Sequence, residues 1–115
     1  MTGRDESTTD GGATVRAELV EAEGRVTLSG EIDYGAAPRV DDALHRLLSD
    51  GARHLVIDLG ELSFFDSACL GALVRAHAGT AERGGTVRLV NVDRHAYRVL
   101  QISGLIPLFD ISTVG

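Results

Sequence analysis

A chain of 115 residues, 43% apolar and 24% charged, is long enough for one domain with a modest core. Its formal net charge of −6 lacks the basic footprint of a nucleic-acid binder, and no apolar run approaches the ~18 residues of a membrane span. The single cysteine, Cys69, excludes a disulfide framework and a multi-cysteine zinc site, and His45, His54, His77 and His95 show no metal-ligand spacing.

Residues 1–12, MTGRDESTTDGG, are acidic and hold no apolar stretch of the kind a signal peptide needs. They read as a disordered tail before one domain over residues 13–115, in a cytoplasmic protein. Thr14 to Val20 then alternates, with Val15, Ala17 and Leu19 on one side and Arg16 and Glu18 on the other. Val26, Leu28 and Gly30 repeat the pattern after Glu21-Ala22-Glu23-Gly24. Period two across a glycine-containing turn predicts a β-hairpin with one buried face. Gly30, just before Glu31-Ile32-Asp33, marks a bend or a close backbone approach.

Pro38 suits a first helical turn, and Val40, Ala43, Leu44, Leu47 and Leu48 recur at the three- and four-residue spacing of an amphipathic helix that ends at Ser49-Asp50-Gly51. Leu55 to Leu59 is a near-continuous apolar run, which predicts a central strand covered on both faces. After a short connection, Leu70, Leu73, Val74 and His77 share one face of a helix running to about Arg83. Thr86 to Val92 is a further strand, and Asp93 caps a helix carrying Ala96, Val99 and Leu100. Gly104 takes the left-handed position after that helix, with Leu105 as the accompanying apolar contact. Pro107 precedes a short last strand, Leu108 to Ile111. The order β-β-α-β-α-β-α-β predicts an α/β domain whose mixed, mostly parallel sheet is flanked by helices.

Chemistry concentrates at Asp66-Ser67, between the apolar strand and the helix that follows. Both residue types satisfy free N–H groups at a helix start, so an N-cap worth about 1 kcal/mol is the plain structural reading. A hydroxyl at the C-terminal end of a strand also lies where open α/β folds place their working residues, which makes Ser67 the first functional candidate. The Gly-x-Ser-x-Gly spacing of a nucleophile elbow is absent. An enzyme using Ser67 as nucleophile requires His54 or His77 to converge on it as base. No Gly-rich loop of P-loop spacing occurs, and no cofactor is assigned.

Three blocks carry a resemblance: Thr27-Leu28-Ser29-Gly30-Glu31-Ile32-Asp33 with Ala37-Pro38, Leu55 to Leu59 running on to Phe65-Asp66-Ser67, and Ser103-Gly104-Leu105. In this order, over about residues 14–111, they resemble a STAS domain of the bacterial anti-sigma factor antagonist type, found in sporulation and general stress control. The resemblance implies a protein-binding module without catalysis of its own. It binds an anti-sigma factor of the GHKL serine-kinase class and releases a sigma factor. Phosphorylation of Ser67 by that kinase ends the complex, and a PP2C-type phosphatase restores it.

By position in the motif, Asp66, Ala68 and Cys69 belong to the partner surface, with Asp33, Tyr34 and Glu31 on the same rim if the family topology holds. Asp66 has two compatible readings, as the helix cap and as part of what the kinase reads. Phosphate adds about −1.5 to −2 charges. The free N–H groups of a helix start tolerate it, while like charges across an interface cost several kcal/mol, so the domain stays folded and the partner leaves. The family pattern continues with Ser-Gly where this chain has Ala68-Cys69. Cys69 is read as a small packing residue, with a helix-start thiolate as the alternative. The rival role is a STAS subunit of another assembly, a stress-sensing scaffold or a lipid-transport complex.

Overall fold

The alternating segments at the start of the chain form the hairpin they predict. In the computed structural model, which describes residues 5–114, β2 (Ala13–Val20) runs antiparallel to β3 (Glu23–Ile32) around a two-residue turn, Glu21-Ala22. Val15, Ala17, Val26 and Leu28 turn inward and are buried. Gly30 holds φ at +80°, and a Cβ there would collide with the Gly12 carbonyl oxygen. It sits where the β3 register shifts, the close approach its type foretells.

The N-terminus departs from expectation. Asp5–Asp10, read as part of a disordered tail, form β1, which pairs antiparallel with β2 from Asp5↔Glu18 to Asp10↔Ala13. The segment carries no apolar period to announce it; its order comes from backbone pairing with its neighbour, and Arg39 adds a hydrogen bond to the Thr8 carbonyl (3.3 Å). The rest of the expected tail before it, residues 1–4, lies outside the described residues.

The remaining elements are α1 (Ala37–Ser49), β4 (His54–Phe65), α2 (Ser67–Glu82), β5 (Val87–Val92), α3 (Arg94–Ile102), a 3₁₀ turn at Ile106–Leu108 and β6 (Asp110–Thr113). Among the described residues they make one six-stranded sheet in chain order, β1-β2-β3-β4-β5-β6, with β3 to β6 parallel. Each crossover therefore steps the same way across the sheet, and right-handed connections put all three helices on one face.

That arrangement corrects the reading of Leu55–Leu59 as doubly covered. Leu55, Ile57 and Leu59 are at most 2% exposed, whereas Val56 and Asp58 on the opposite face are half-buried. The core lies between the sheet and the helices and joins Leu28, Leu55, Ile57, Leu73, Leu89 and Leu100. The buried Thr80 hydroxyl donates back to the carbonyls of Ala76 and His77 (3.1 and 2.9 Å), which satisfies it inside the apolar layer. Gly104, φ +74°, closes α3 as expected, with Leu105 N–H on the Leu100 carbonyl and Gly104 N–H on that of Gln101. The last strand begins two residues later than predicted, because Ile106–Leu108 curl into a 3₁₀ turn after Leu105. No helix among the described residues is long and apolar enough to cross a membrane.

Candidate functional site

The connection expected after Leu59 is strand instead. β4 leaves β5 after the pair Asp58↔Val90 but continues beside β3, through Ser29↔Glu61, to Glu31↔Phe64 and Ile32↔Phe65. This extension carries the start of α2 out to the rim where β3 ends. Strand alternation divides the two phenylalanines: Phe65 joins the core at 8% exposure, while Phe64 is 49% exposed.

Asp66 then takes an extended conformation (φ −118°, ψ −170°) and caps α2, which opens three residues earlier than the Leu70 periodicity implies. One carboxylate oxygen, Oδ1, accepts from Ala68 N–H (3.0 Å) and Cys69 N–H (3.4 Å). The other, Oδ2, accepts from Tyr34 N–H at 2.9 Å, across the rim on the β3–α1 turn. Asp66 is thus both a cap and a brace between two segments. The N–H groups of Ala68 and Cys69 at this helix start are already occupied, as the cap reading of Asp66 requires.

Ser67, the first residue of α2, is exposed, and Ala68 beside it is half-buried. Across the brace stands Tyr34, 82% exposed. Asp33 is exposed too, but its carboxylate accepts from Gly35 N–H (3.0 Å) and Ala36 N–H (3.1 Å), holding the turn that leads into α1. Glu31, opposite Phe64 in the sheet register, is exposed at the end of β3. The fold brings Glu31, Asp33, Tyr34, Asp66, Ser67 and Ala68 to one rim.

Cys69 is the exception. Its side chain is fully buried, so it packs beneath the rim and presents nothing to a partner. Burial, with the nearby charges of Asp66 and Asp41, pushes the thiol up to about 12. Burial therefore outweighs any lowering by the helix start, and the thiolate alternative is overturned.

A feature missed by sequence reasoning is a groove of about 200 Å³ beside this rim, between Leu62, Phe64 and Phe65 of β4 and Asp93, His95 and Ala96 at the start of α3. The alternation through Leu62-Ser63-Phe64-Phe65 is its sequence signal; Gly60-Glu61 interrupts the apolar run and hides it. Neither histidine named as a possible base reaches Ser67. His54 opens β4 at the opposite end of the strand and pairs with Thr86 (3.1 Å), and His77 meets the Phe109 ring edge-on at 6.0 Å. The turn thus displays a hydroxyl with neither of these histidines placed to activate it.

A family model described as the STAS domain matches residues 16–114. The anti-sigma-B factor antagonist of Bacillus subtilis is 35% identical over 88 residues, covering 76% of this chain and 80% of that protein. The crystal structure of an anti-sigma factor antagonist from Mycobacterium paratuberculosis is similar with a TM-score of 0.79 at 27% identity, over 95% of this chain and 92% of that one. The Bacillus anti-sigma factor antagonist SpoIIAA shares the fold in its unphosphorylated form, with TM-score 0.76, 23% identity and coverage of 86% and 88%. It also does so in its phosphorylated form, with TM-score 0.66, 19% identity and coverage of 96% and 92%.

Proposed function

The chain belongs to the STAS domain family, and from that footing we propose that it is an anti-sigma factor antagonist switched off by phosphorylation of Ser67. The observation that carries this reading is an exposed hydroxyl on a braced helix start, flanked by the exposed rings of Tyr34 and Phe64. Curated relatives named as anti-sigma factor antagonists support the role. In its unphosphorylated form the chain binds a cytoplasmic anti-sigma factor of the GHKL serine-kinase class through this rim, and the sigma factor is released.

In the switching step the Ser67 Oγ attacks the terminal phosphorus of ATP held by the kinase. The Oγ–P bond forms, the bond to the β-phosphate oxygen breaks, ADP leaves, and the hydroxyl proton passes to a base on the kinase. The product adds about two negative charges beside Asp66. Like charges brought into an interface cost several kcal/mol, which is enough to end the complex while the core, on the other side of α2, is untouched. A PP2C-type phosphatase hydrolyses the ester and resets the switch.

The test is intact-mass analysis of wild type and Ser67→Ala after incubation with ATP and the GHKL kinases of the same genome. One phosphate on wild type and none on Ser67→Ala is the expected result. No phosphate on wild type, or equal uptake by Ser67→Ala, overturns the reading, and the role as a non-switching STAS subunit then leads.

A further inference from the structure

The geometry points to the Asp66 carboxylate as the link through which a phosphate on Ser67 releases the Tyr34 turn; the inference rests on Ser67 being the acceptor. Its two oxygens bind separate segments: Oδ1 the first turn of α2, and Oδ2 the Tyr34 N–H, 32 residues back from Asp66 in sequence, at 2.9 Å. The remaining hydrogen bonds within the Tyr34 turn are local. Asp33 accepts from Gly35 and Ala36 through its side chain, and from Ala36 and Ala37 through its carbonyl (3.0 and 2.8 Å). The Asp66 N–H also donates to the Ile32 carbonyl (3.4 Å), so the backbone anchors the end of β3 while the carboxylate holds the Tyr34 turn itself.

A phosphate on Ser67 Oγ sits one residue from this carboxylate at the same helix start. Two anions then compete for the amides of Ala68 and Cys69. The phosphate brings about two charges and three acceptor oxygens against a single charge, and takes them. The carboxylate, repelled at close range, leaves its place and lets go of Tyr34. Phosphorylation is thus read twice by a partner: as charge at Ser67, and as loss of position of an aromatic that is 82% exposed.

The experiment uses the full chain with phosphoserine installed at position 67 during translation, so that no kinase is needed, and follows amide hydrogen exchange. Tyr34 N–H is expected to exchange at least about tenfold faster in the phosphorylated chain, the equilibrium cost of one hydrogen bond to a charged group. Ala96 N–H, capped by Asp93 at 2.8 Å, is the control and keeps its rate. Asp66→Asn retains an acceptor for the helix cap but replaces the second oxygen with an NH₂ group. In that variant Tyr34 is expected to exchange fast with or without phosphate.

Unchanged Tyr34 protection on phosphorylation of wild type overturns the link. So does an acceleration that persists undiminished in Asp66→Asn, or one shared equally by Ala96. The kinase test and the exchange test fail separately. A wild type that takes up no phosphate from any kinase refutes the switch, whereas steady Tyr34 exchange in the chain made with phosphoserine refutes the link.

Discussion

Two strand-to-helix turns of this molecule start from the same chemistry. Asp66 follows β4 and Asp93 follows β5; both are extended and both cap the next helix. The Asp93 carboxylate accepts from Ala96 N–H within its own helix, whereas that of Asp66 accepts from three backbone amides and reaches a second loop to do so. The cause is strand length. β5 ends at Val92, close to its last partners, while β4 outruns β5 and follows β3 to Phe65, which delivers its cap to the Tyr34 turn. A capping aspartate alone is a common device; this one also braces a neighbouring turn beside an exposed serine.

Removing each cap separates the two most strongly. Asp66→Ala is expected to cost about 3 kcal/mol, a cap plus a charge-assisted bond, and Asp93→Ala about 1 kcal/mol, both read from urea unfolding. Equal losses would mean that the Tyr34 bond contributes nothing. Next, Tyr34→Ala should weaken binding to the anti-sigma partner by more than about tenfold in calorimetry, as truncation of an aromatic anchor does. Its melting temperature should not move. Ile102→Ala, at a residue 75% exposed at the far end of α3, should leave affinity unchanged.

A smaller effect comes from the third residue of each helix, Cys69 in α2 and Ala96 in α3, both buried. With the thiol pushed up to about 12 in the fold and at about 8.5 when unfolded, the neutral form stabilises fully below about pH 8.5 and that contribution is lost as pH rises toward 12. Cys69→Ala makes the two turns alike, so its urea midpoint should fall less steeply above about pH 9 than that of wild type. Finally, Arg94→Ser writes Asp-Ser into the second turn. It should gain no phosphate from a kinase that modifies Ser67, by intact mass, because the Asp93 carboxylate caps its own helix and braces no exposed tyrosine turn.

Much of this was legible in the chain. The hairpin, the three helices, the cap at Asp93 and the left-handed Gly104 all follow from period and residue type, because each depends on near neighbours in sequence. The Asp66 cap before Ser67 was legible for the same reason. What escaped depends on partners far along the chain. β1 is polar and exists by pairing with β2, and β4 beyond Gly60 is strand by virtue of its register with β3. The Asp66–Tyr34 bond spans 32 residues, so no local pattern records it. Cys69 is the packing residue its size suggests, and what the motif position could not show is that full burial takes it off the partner surface.

The central claim is that charge on the Asp66-Ser67 turn decides partner binding while the fold persists. Its most direct test is the affinity of the anti-sigma partner for the unphosphorylated and Ser67-phosphorylated chains, measured with both shown to be folded. Binding is expected to weaken by about 100-fold or more, the equivalent of several kcal/mol of like-charge repulsion, with cooperative unfolding retained. Equal affinity, or weakened binding that accompanies loss of the fold, contradicts it.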